Sequence, residues 1–336
     1  MTGPASAAIL GCLGPELGVD EAAFFKEADP WGFILFARNV DTPDQLRRLT
    51  GDLRNAVGRN ALVLVDQEGG RVQRMRAPHW REWVPPLDQV AMAGAGAARS
   101  LWLRYRIIAE ELLDVGIDAN CAPTADIAGA LTHPFLRNRC LGEDASSVAV
   151  NARAVADGLL AGGVLPVMKH VPGHGRATAD SHKDLPFVDV PVEELVQTDF
   201  APFKALADLP MAMTAHICAA AFGPAPATQN PSFIRAIRDQ IGFDGLLMTD
   251  DLSMEALSGT MGARAARSIA AGCDISLHCN GVRVEMEAVV TASGTLSGAA
   301  AQRADRALAC RQAPTPIDID GLEAEFEALC KGRTHV

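Results

Sequence analysis

Eight short apolar runs, at residues 7–11, 32–36, 62–65, 117–121, 164–168, 211–214, 246–249 and 275–278, alternate along this chain with segments of helical periodicity. The helical segments include residues 43–57, 99–115, 146–160, 192–207 and 231–240. Strands alternating with helices imply βαβ units and a parallel sheet. The runs are apolar on both faces, as they must be when helices cover both sides of such a sheet. Eight units close into a (β/α)₈ barrel, whereas an open doubly wound sheet would favour a Gly-x-Gly-x-x-Gly turn after its first strand. No such turn occurs here. The expectation is an α/β chain folded as one (β/α)₈ TIM barrel over residues 1–336. Its alanine-rich tail, 285–336, should form helices packed on the outside.

The polar residues are not scattered. Arg38 and Asn39 follow the second run, Asp66, Gln67 and Glu68 the third, and Thr124 and Asp126 the fourth. Lys169 and His170 follow the fifth, His216 the sixth, Asp250 and Asp251 the seventh, and Asn280 the eighth. In a barrel these C-terminal ends share one rim, the face on which active sites are built. This distribution is the physical argument for an enzyme.

Composition removes several alternatives. A formal charge of −11 repels phosphate backbones and acidic lipid, so neither nucleic acid nor a membrane is an expected partner. No apolar stretch approaches membrane-spanning length. The start, Met1-Thr2-Gly3-Pro4, lacks the basic region of a signal peptide. Eight cysteines without a Cys-x-x-Cys fit reduced thiols and a cytoplasmic location.

Four constellations carry candidate chemistry. Asp250 ends the seventh run, where a carboxylate is costly unless it is partnered or has a task. Asp251, one residue closer to the segment 252–257, suits an N-cap there. After the fifth run comes Lys169-His170-Val171-Pro172-Gly173-His174-Gly175, and then Asp180-Ser181-His182. A carboxylate beside an imidazole fixes its tautomer and raises its pKa, as a proton-transfer group requires. The same histidines and aspartate invite a metal reading. Metal hydrolases on barrels draw ligands from several strands, however, and no His-x-His follows the first run, so no metal and no cofactor are expected. Asp66, with Glu68, Arg71 and Arg74 around a glycine pair, combines a strand-terminal acid with cations, a set that suits sugar hydroxyls as well as rim ion pairs. Arg139 is open to two readings: pairing with Glu143 or Asp144, or placing a cation near the pocket. His79, His133, His278 and His335 are taken as structural or solvent-exposed.

Together, Ile34-Leu35-Phe36-Ala37-Arg38-Asn39, the stretch from Val65 to Arg74, the Lys169–Gly175 loop with Asp180-Ser181-His182, and Thr249-Asp250-Asp251-Leu252-Ser253-Met254 resemble the bacterial β-N-acetylglucosaminidases of glycoside hydrolase family 3. They occur in that family's order, and the resemblance is to its single-domain, peptidoglycan-recycling branch. It implies a (β/α)₈ barrel and retaining exo-hydrolysis of terminal N-acetylglucosamine from a muropeptide. It also implies Asp250 as nucleophile, His182 as acid/base with Asp180 as its partner, and Asp66, Arg74, Arg139, Lys169 and His170 as sugar-binding positions. The implied partner is a small carbohydrate, and the expected state is a monomer. The family writes phenylalanine where this chain has Val171, which removes no polar group. The stretch around Arg139 departs further from the family pattern. A glycoside phosphorylase using the same residues and a non-catalytic muropeptide-binding protein are the rival readings.

Overall fold

Within one strand, Leu62–Val65, the construction of the molecule is already visible. Leu62 and Leu64 belong to an inner apolar cluster with Ile9, Val167, Met211 and Met248, while Val63 and Val65 join an outer one with Leu46, Leu49 and Leu53 of the helix Pro43–Val57. Alternate side chains of each strand therefore fill the barrel or meet the helical ring, which is why the runs carry no polar face. The computed structural model describes residues 4–179 and 184–330.

Eight parallel strands close the barrel: β1 (Ser6–Gly11), β2 (Pro30–Leu35), β3 (Leu62–Val65), β4 (Ala119–Asn120), β5 (Leu165–Val171), β6 (Met211–Thr214), β7 (Leu246–Asp251) and β8 (Ile275–His278). Each pairs with its sequence neighbours, and β1 pairs with β8. The expected fold class is the observed one.

Several boundaries differ from expectation for local reasons. β4 keeps only two residues, and just before it the Asp118 carboxylate takes the Val63 N–H at 2.8 Å, where a strand would use its backbone carbonyl. β5 and β7 run on to include Lys169, His170, Asp250 and Asp251, so these residues are held by the barrel itself. The expected helix 192–207 is two, Val192–Gln197 and Ala201–Ala205, the second starting afresh around Pro202. Segment 231–240 begins as the helix Pro231–Ala236 and widens into a π-turn over Ile237–Ile241. No helix forms over 252–257, which is a run of turns.

The tail carries helices at Arg283–Ser293, Gly298–Ala309 and Ile319–Cys330. In the last of these, Phe326 meets Trp83 edge-to-face at 5.4 Å, Glu325 pairs with Arg99 at 2.7 Å, and Glu323 pairs with Arg81 at 2.6 Å. Among the described residues, no helix is long and apolar enough to cross a membrane.

Candidate active site

At the C-terminal end of the barrel lies a cavity of about 220 Å³, lined by Asp66, Arg74, Arg139, Lys169, His170 and Asp250 together with His174, Phe36, Met213 and Met254. That is smaller than the roughly 300–1,000 Å³ of pockets for drug-sized ligands, and it suits one monosaccharide. Six of the eight residues singled out in the sequence thus converge on one space. The other two, Asp180 and His182, lie outside the described residues. Chain leading toward them is at the rim, since Ala177 and Ala179 line the same cavity.

The polar groups of the pocket are held before any sugar arrives. Asp66, one residue past β3, accepts from Lys169 Nζ and from Arg74 Nη2, both at 2.8 Å. Glu68, which is fully buried, accepts from Lys169 Nζ at 2.5 Å and takes Arg139 in a two-pronged pair at 2.8 and 2.9 Å. Burial alone would raise both carboxyls. The Lys169 and Arg74 charges outweigh burial at Asp66, holding it well below the usual carboxylate range. At Glu68, Arg139 and Lys169 do the same, bringing it down to about 2. Lys169 and Arg139 respond in the opposite sense, since burial works against their charge but the facing carboxylates hold it more firmly than in water.

These shifts fix the direction of the acid response. Asp66 and Glu68 have folded pKa values below the unfolded values of about 4. Their contribution to stability is therefore complete above that pH and is lost as pH falls through the folded values. The melting temperature is expected to be insensitive to these groups between pH 5 and 7 and to fall continuously below about pH 4. Calorimetry across that range checks it. An unchanged melting temperature at pH 3 would mean the carboxylates are not held as the ion pairs imply.

Glu68 was absent from the sequence-derived site, as was the correct partner of Arg139. Arg137, not Arg139, pairs with Glu143, and Asp144 caps the helix Ala145–Ala161 through the N–H groups of Ser146 and Ser147. Glu68 is itself fixed from behind, because Tyr105 Oη donates to its carbonyl at 3.1 Å and Arg104 donates to the same oxygen. Gly69 follows at φ +105°, where an added Cβ would overlap the Arg104 guanidinium, so this turn needs glycine.

A second pair sits beside the first. Asp126 is buried after β4 and faces His170 Nδ1 at 2.7 Å, while its other oxygen accepts the His174 N–H at 2.6 Å. Arg139 Nη2 lies 3.3 Å from His170 Nε2, so the guanidinium donates there and the ring proton belongs on Nδ1, toward Asp126. The Lys169–His170 peptide is cis, and both side chains line the cavity. His174 is driven by burial down to about 4 and is neutral near pH 7, despite Asp126 nearby. Gly175 beyond it packs flush against the backbone, and a Cβ there would come within 2.1 Å of the Ile127 carbonyl oxygen.

Asp250, near the end of β7, lines the same cavity. Its Oδ1 accepts the Asp251 N–H at 2.8 Å, and its own N–H donates to Thr214 Oγ1 at 3.3 Å. Burial would raise its pKa, but the imidazoles of His170 and His216, the Asp251 N–H and Lys169 outweigh this and keep it below the ordinary value. It is therefore an anion at neutral pH, the state a nucleophile needs. Asp251 plays the structural part expected of it by a different route. Its carboxylate accepts from Ser253 N at 3.1 Å, Ser253 Oγ at 2.5 Å and Cys279 N at 3.2 Å, closing a turn and tying β7 to β8.

Not every rim residue reaches the pocket. Arg38 and Asn39 bond the carbonyl of Cys12 instead, with Arg38 also reaching that of Cys279 and Asn39 that of Gly14, so they close the β1–β2 end of the barrel. His133, set aside in the sequence as structural, caps the helix Pro134–Arg137 through Nδ1 and also lines the cavity. His278 is buried, and His335 lies outside the described residues. Among the described residues, no cluster of three or more histidine, cysteine, aspartate or glutamate side chains is arranged to hold a metal.

Comparison with known proteins agrees with this geometry. Residues 19–309 match the model of the glycosyl hydrolase family 3 N-terminal domain. A β-hexosaminidase of Methylococcus capsulatus is 35% identical over 326 residues, 94% of this chain and 94% of its own. One from Vibrio cholerae is 35% identical over 280 residues, covering 81% of this chain and 82% of its own. Native NagZ from Neisseria gonorrhoeae superposes with a TM-score of 0.84 at 26% identity, over 98% of this chain and 96% of that one. NagZ from that organism has also been solved in complex with N-trifluoroacetyl-D-glucosamine. A family 3 β-N-acetylglucosaminidase from Paenibacillus gives a TM-score of 0.79 at 29% identity, over 98% of this chain and 63% of that one. With a barrel of this form and a charged, sugar-sized pocket on its C-terminal rim, the chain belongs to glycoside hydrolase family 3, as a β-N-acetylhexosaminidase.

Proposed function

We propose that this enzyme removes terminal β-linked N-acetylglucosamine from peptidoglycan-derived muropeptides of the N-acetylglucosaminyl-1,6-anhydro-N-acetylmuramic acid type, with retention of configuration. The observation that carries the reading is that Asp250, held as an anion, shares one sugar-sized cavity with Asp66, Arg74, Arg139, Lys169 and His170, the groups this reading assigns to the sugar hydroxyls. Asp250 attacks the anomeric carbon, and the C1–O bond to the leaving group breaks as His182 delivers its proton to the departing oxygen. Water then gives a proton back to His182 and displaces Asp250 from C1, which restores both groups. Asp180 orients the imidazole. A ring hydroxyl donating to the Asp66 carboxylate is held more strongly as positive charge develops on the sugar, with little reorganisation because Asp66 is already fixed by Lys169 and Arg74. The similarity to gonococcal NagZ, solved with an N-acylated glucosamine bound, supports the 2-acylamino sugar as the group at this position.

The acid/base role has a distinctive test. General acid catalysis is worth about 10²–10⁴-fold. His182→Ala should lose that much turnover on a disaccharide and far less on a nitrophenyl N-acetylglucosaminide, whose leaving group scarcely needs a proton. Equal losses on the two substrates would remove His182 from the role.

A further inference from the structure

Behind the Asp250 wall, outside the cavity, three fully buried polar side chains form a chain of contacts that the reaction as described does not use. Thr214 ends β6, His216 follows two residues later, and Thr228 stands on the short helical turn Ala227–Gln229. Thr214 Oγ1 accepts the Asp250 N–H at 3.3 Å and lies 2.8 Å from Thr228 Oγ1. Thr228 Oγ1 lies 2.8 Å from His216 Nδ1, and His216 Nε2 lies 2.9 Å from the Asp251 carbonyl.

The protons can be assigned from what each atom is able to do. A carbonyl oxygen only accepts, so His216 carries its proton on Nε2 and donates to Asp251. Burial lowers its pKa, which favours the neutral ring, and Nδ1 is then an acceptor for the Thr228 hydroxyl. Thr228 Oγ1 accepts from the Thr214 hydroxyl, and Thr214 Oγ1 accepts from Asp250 N–H. Thr228 Oγ1 also lies 3.0 Å from the Ala215 carbonyl, so its one proton is shared between that oxygen and the shorter contact to His216 Nδ1, and the other links all point the same way. The result is a closed loop that begins at the N–H of Asp250 and returns to the carbonyl of Asp251, the residue whose own N–H donates to Asp250 Oδ1 at 2.8 Å.

We propose that His216 is a positioning residue for Asp250: tied to Thr228, it grips the Asp251 carbonyl and thereby fixes the N–H on which the Asp250 carboxylate rests. The inference rests on Asp250 being the nucleophile. A carboxylate must approach the anomeric carbon along a narrow range of directions, and a backbone free to rotate at residue 251 would spread that range. Loss of His216 should therefore slow both chemical steps while leaving the proposed sugar contacts, which His216 does not touch, intact.

The experiment compares His216→Leu, His216→Gln and Thr228→Val with the wild type. A nitrophenyl N-acetylglucosaminide gives kcat and KM, and a 2-fluoro glycoside followed by mass spectrometry gives the rate and the site of covalent labelling. His216→Leu is expected to lower kcat and the labelling rate together, by up to about 100-fold, the cost of an ångström-scale misplacement of a reacting group, with KM little changed. The glutamine amide can reach the Asp251 carbonyl and should recover most of the loss. Thr228→Val, which leaves His216 in place without its tether, should fall between. Wild-type kcat and labelling rate in a folded His216→Leu protein would overturn the proposal. So would equal losses in the leucine and glutamine variants. If His216→Leu does not fold, the glutamine and Thr228→Val variants decide, since full activity in Thr228→Val would show that the loop does no positioning. The nucleophile assignment is read separately: a label on any residue of the wild type other than Asp250 would sink that reading whatever the variants do.

Discussion

Asp250→Ala is expected to lose turnover by roughly 10⁴–10⁶-fold on a disaccharide and on a nitrophenyl glycoside alike, a range seen when a nucleophile or its direct partner is removed. The loss corresponds to about 5–8 kcal/mol of transition-state stabilisation. Both substrates should suffer because, in the proposed mechanism, the carboxylate bonds to the anomeric carbon whatever the leaving group, which separates this variant from His182→Ala. The fold should survive. Asp250 is half-buried, its carboxylate is bonded by the Asp251 N–H, its own N–H keeps Thr214 in the variant, and β7 is held by β6 and β8. Sugar binding should persist too, since Asp66, Lys169 and Arg139 keep one another in place. Rates from both substrates, with calorimetry to confirm folding, test this. A folded variant within tenfold of wild-type turnover would exclude Asp250 as the nucleophile.

Glu68→Ala is expected to have the largest effect on stability. The substitution leaves Lys169 without one of its two carboxylates and Arg139 without its two-pronged partner, both in a buried setting. Removing one member of a buried ion pair costs about 3–5 kcal/mol, because the remaining charge is neither solvated nor matched. With an unfolding entropy of about 2.1 cal/mol/K per residue over this chain, that lowers the melting temperature by about 4–7 °C. Catalytic efficiency should fall as well, since Arg139 loses the anchor that aims it at the cavity. Glu68→Gln keeps the shape and one acceptor and should lie between alanine and the wild type. A Glu68→Ala protein melting within 1 °C of the wild type would show that the ion pairs contribute no net stability.

The barrel was legible in the sequence because burial on both faces leaves a signature: every strand is a short apolar run, and all but the first are followed by polar residues. That signature also located the rim, and with it Asp66, Lys169, His170 and Asp250. Partnership was not legible. Glu68 and Arg139 are 71 positions apart in the chain and meet at 2.8 Å, while Glu143, four residues from Arg139, pairs with Arg137 instead. Nearness in sequence favoured the wrong partner because the fold, not the local chain, sets the geometry. The helix expected over 252–257 fails for a related reason. Asp251 has the chemistry of a cap, but its carboxylate is drawn to Ser253 and across to Cys279, which favours a tight turn. Arg38 and His216 both follow strands. The first closes the barrel's end and the second stands behind Asp250, a distinction that no pattern of types or spacing encodes.

The match to the family domain stops at residue 309, yet the helix Ile319–Cys330 bears on the pocket at one remove. Phe326 leans on Trp83, and the Trp83 carbonyl takes the Gly70 N–H at 2.7 Å, two residues from Glu68. The helix is thus a buttress for the turn at Gly69 and Gly70, next to the carboxylate that holds Lys169 and Arg139. Sequence drift in that outlying helix has a route to the lining of the pocket, through one edge-to-face ring contact.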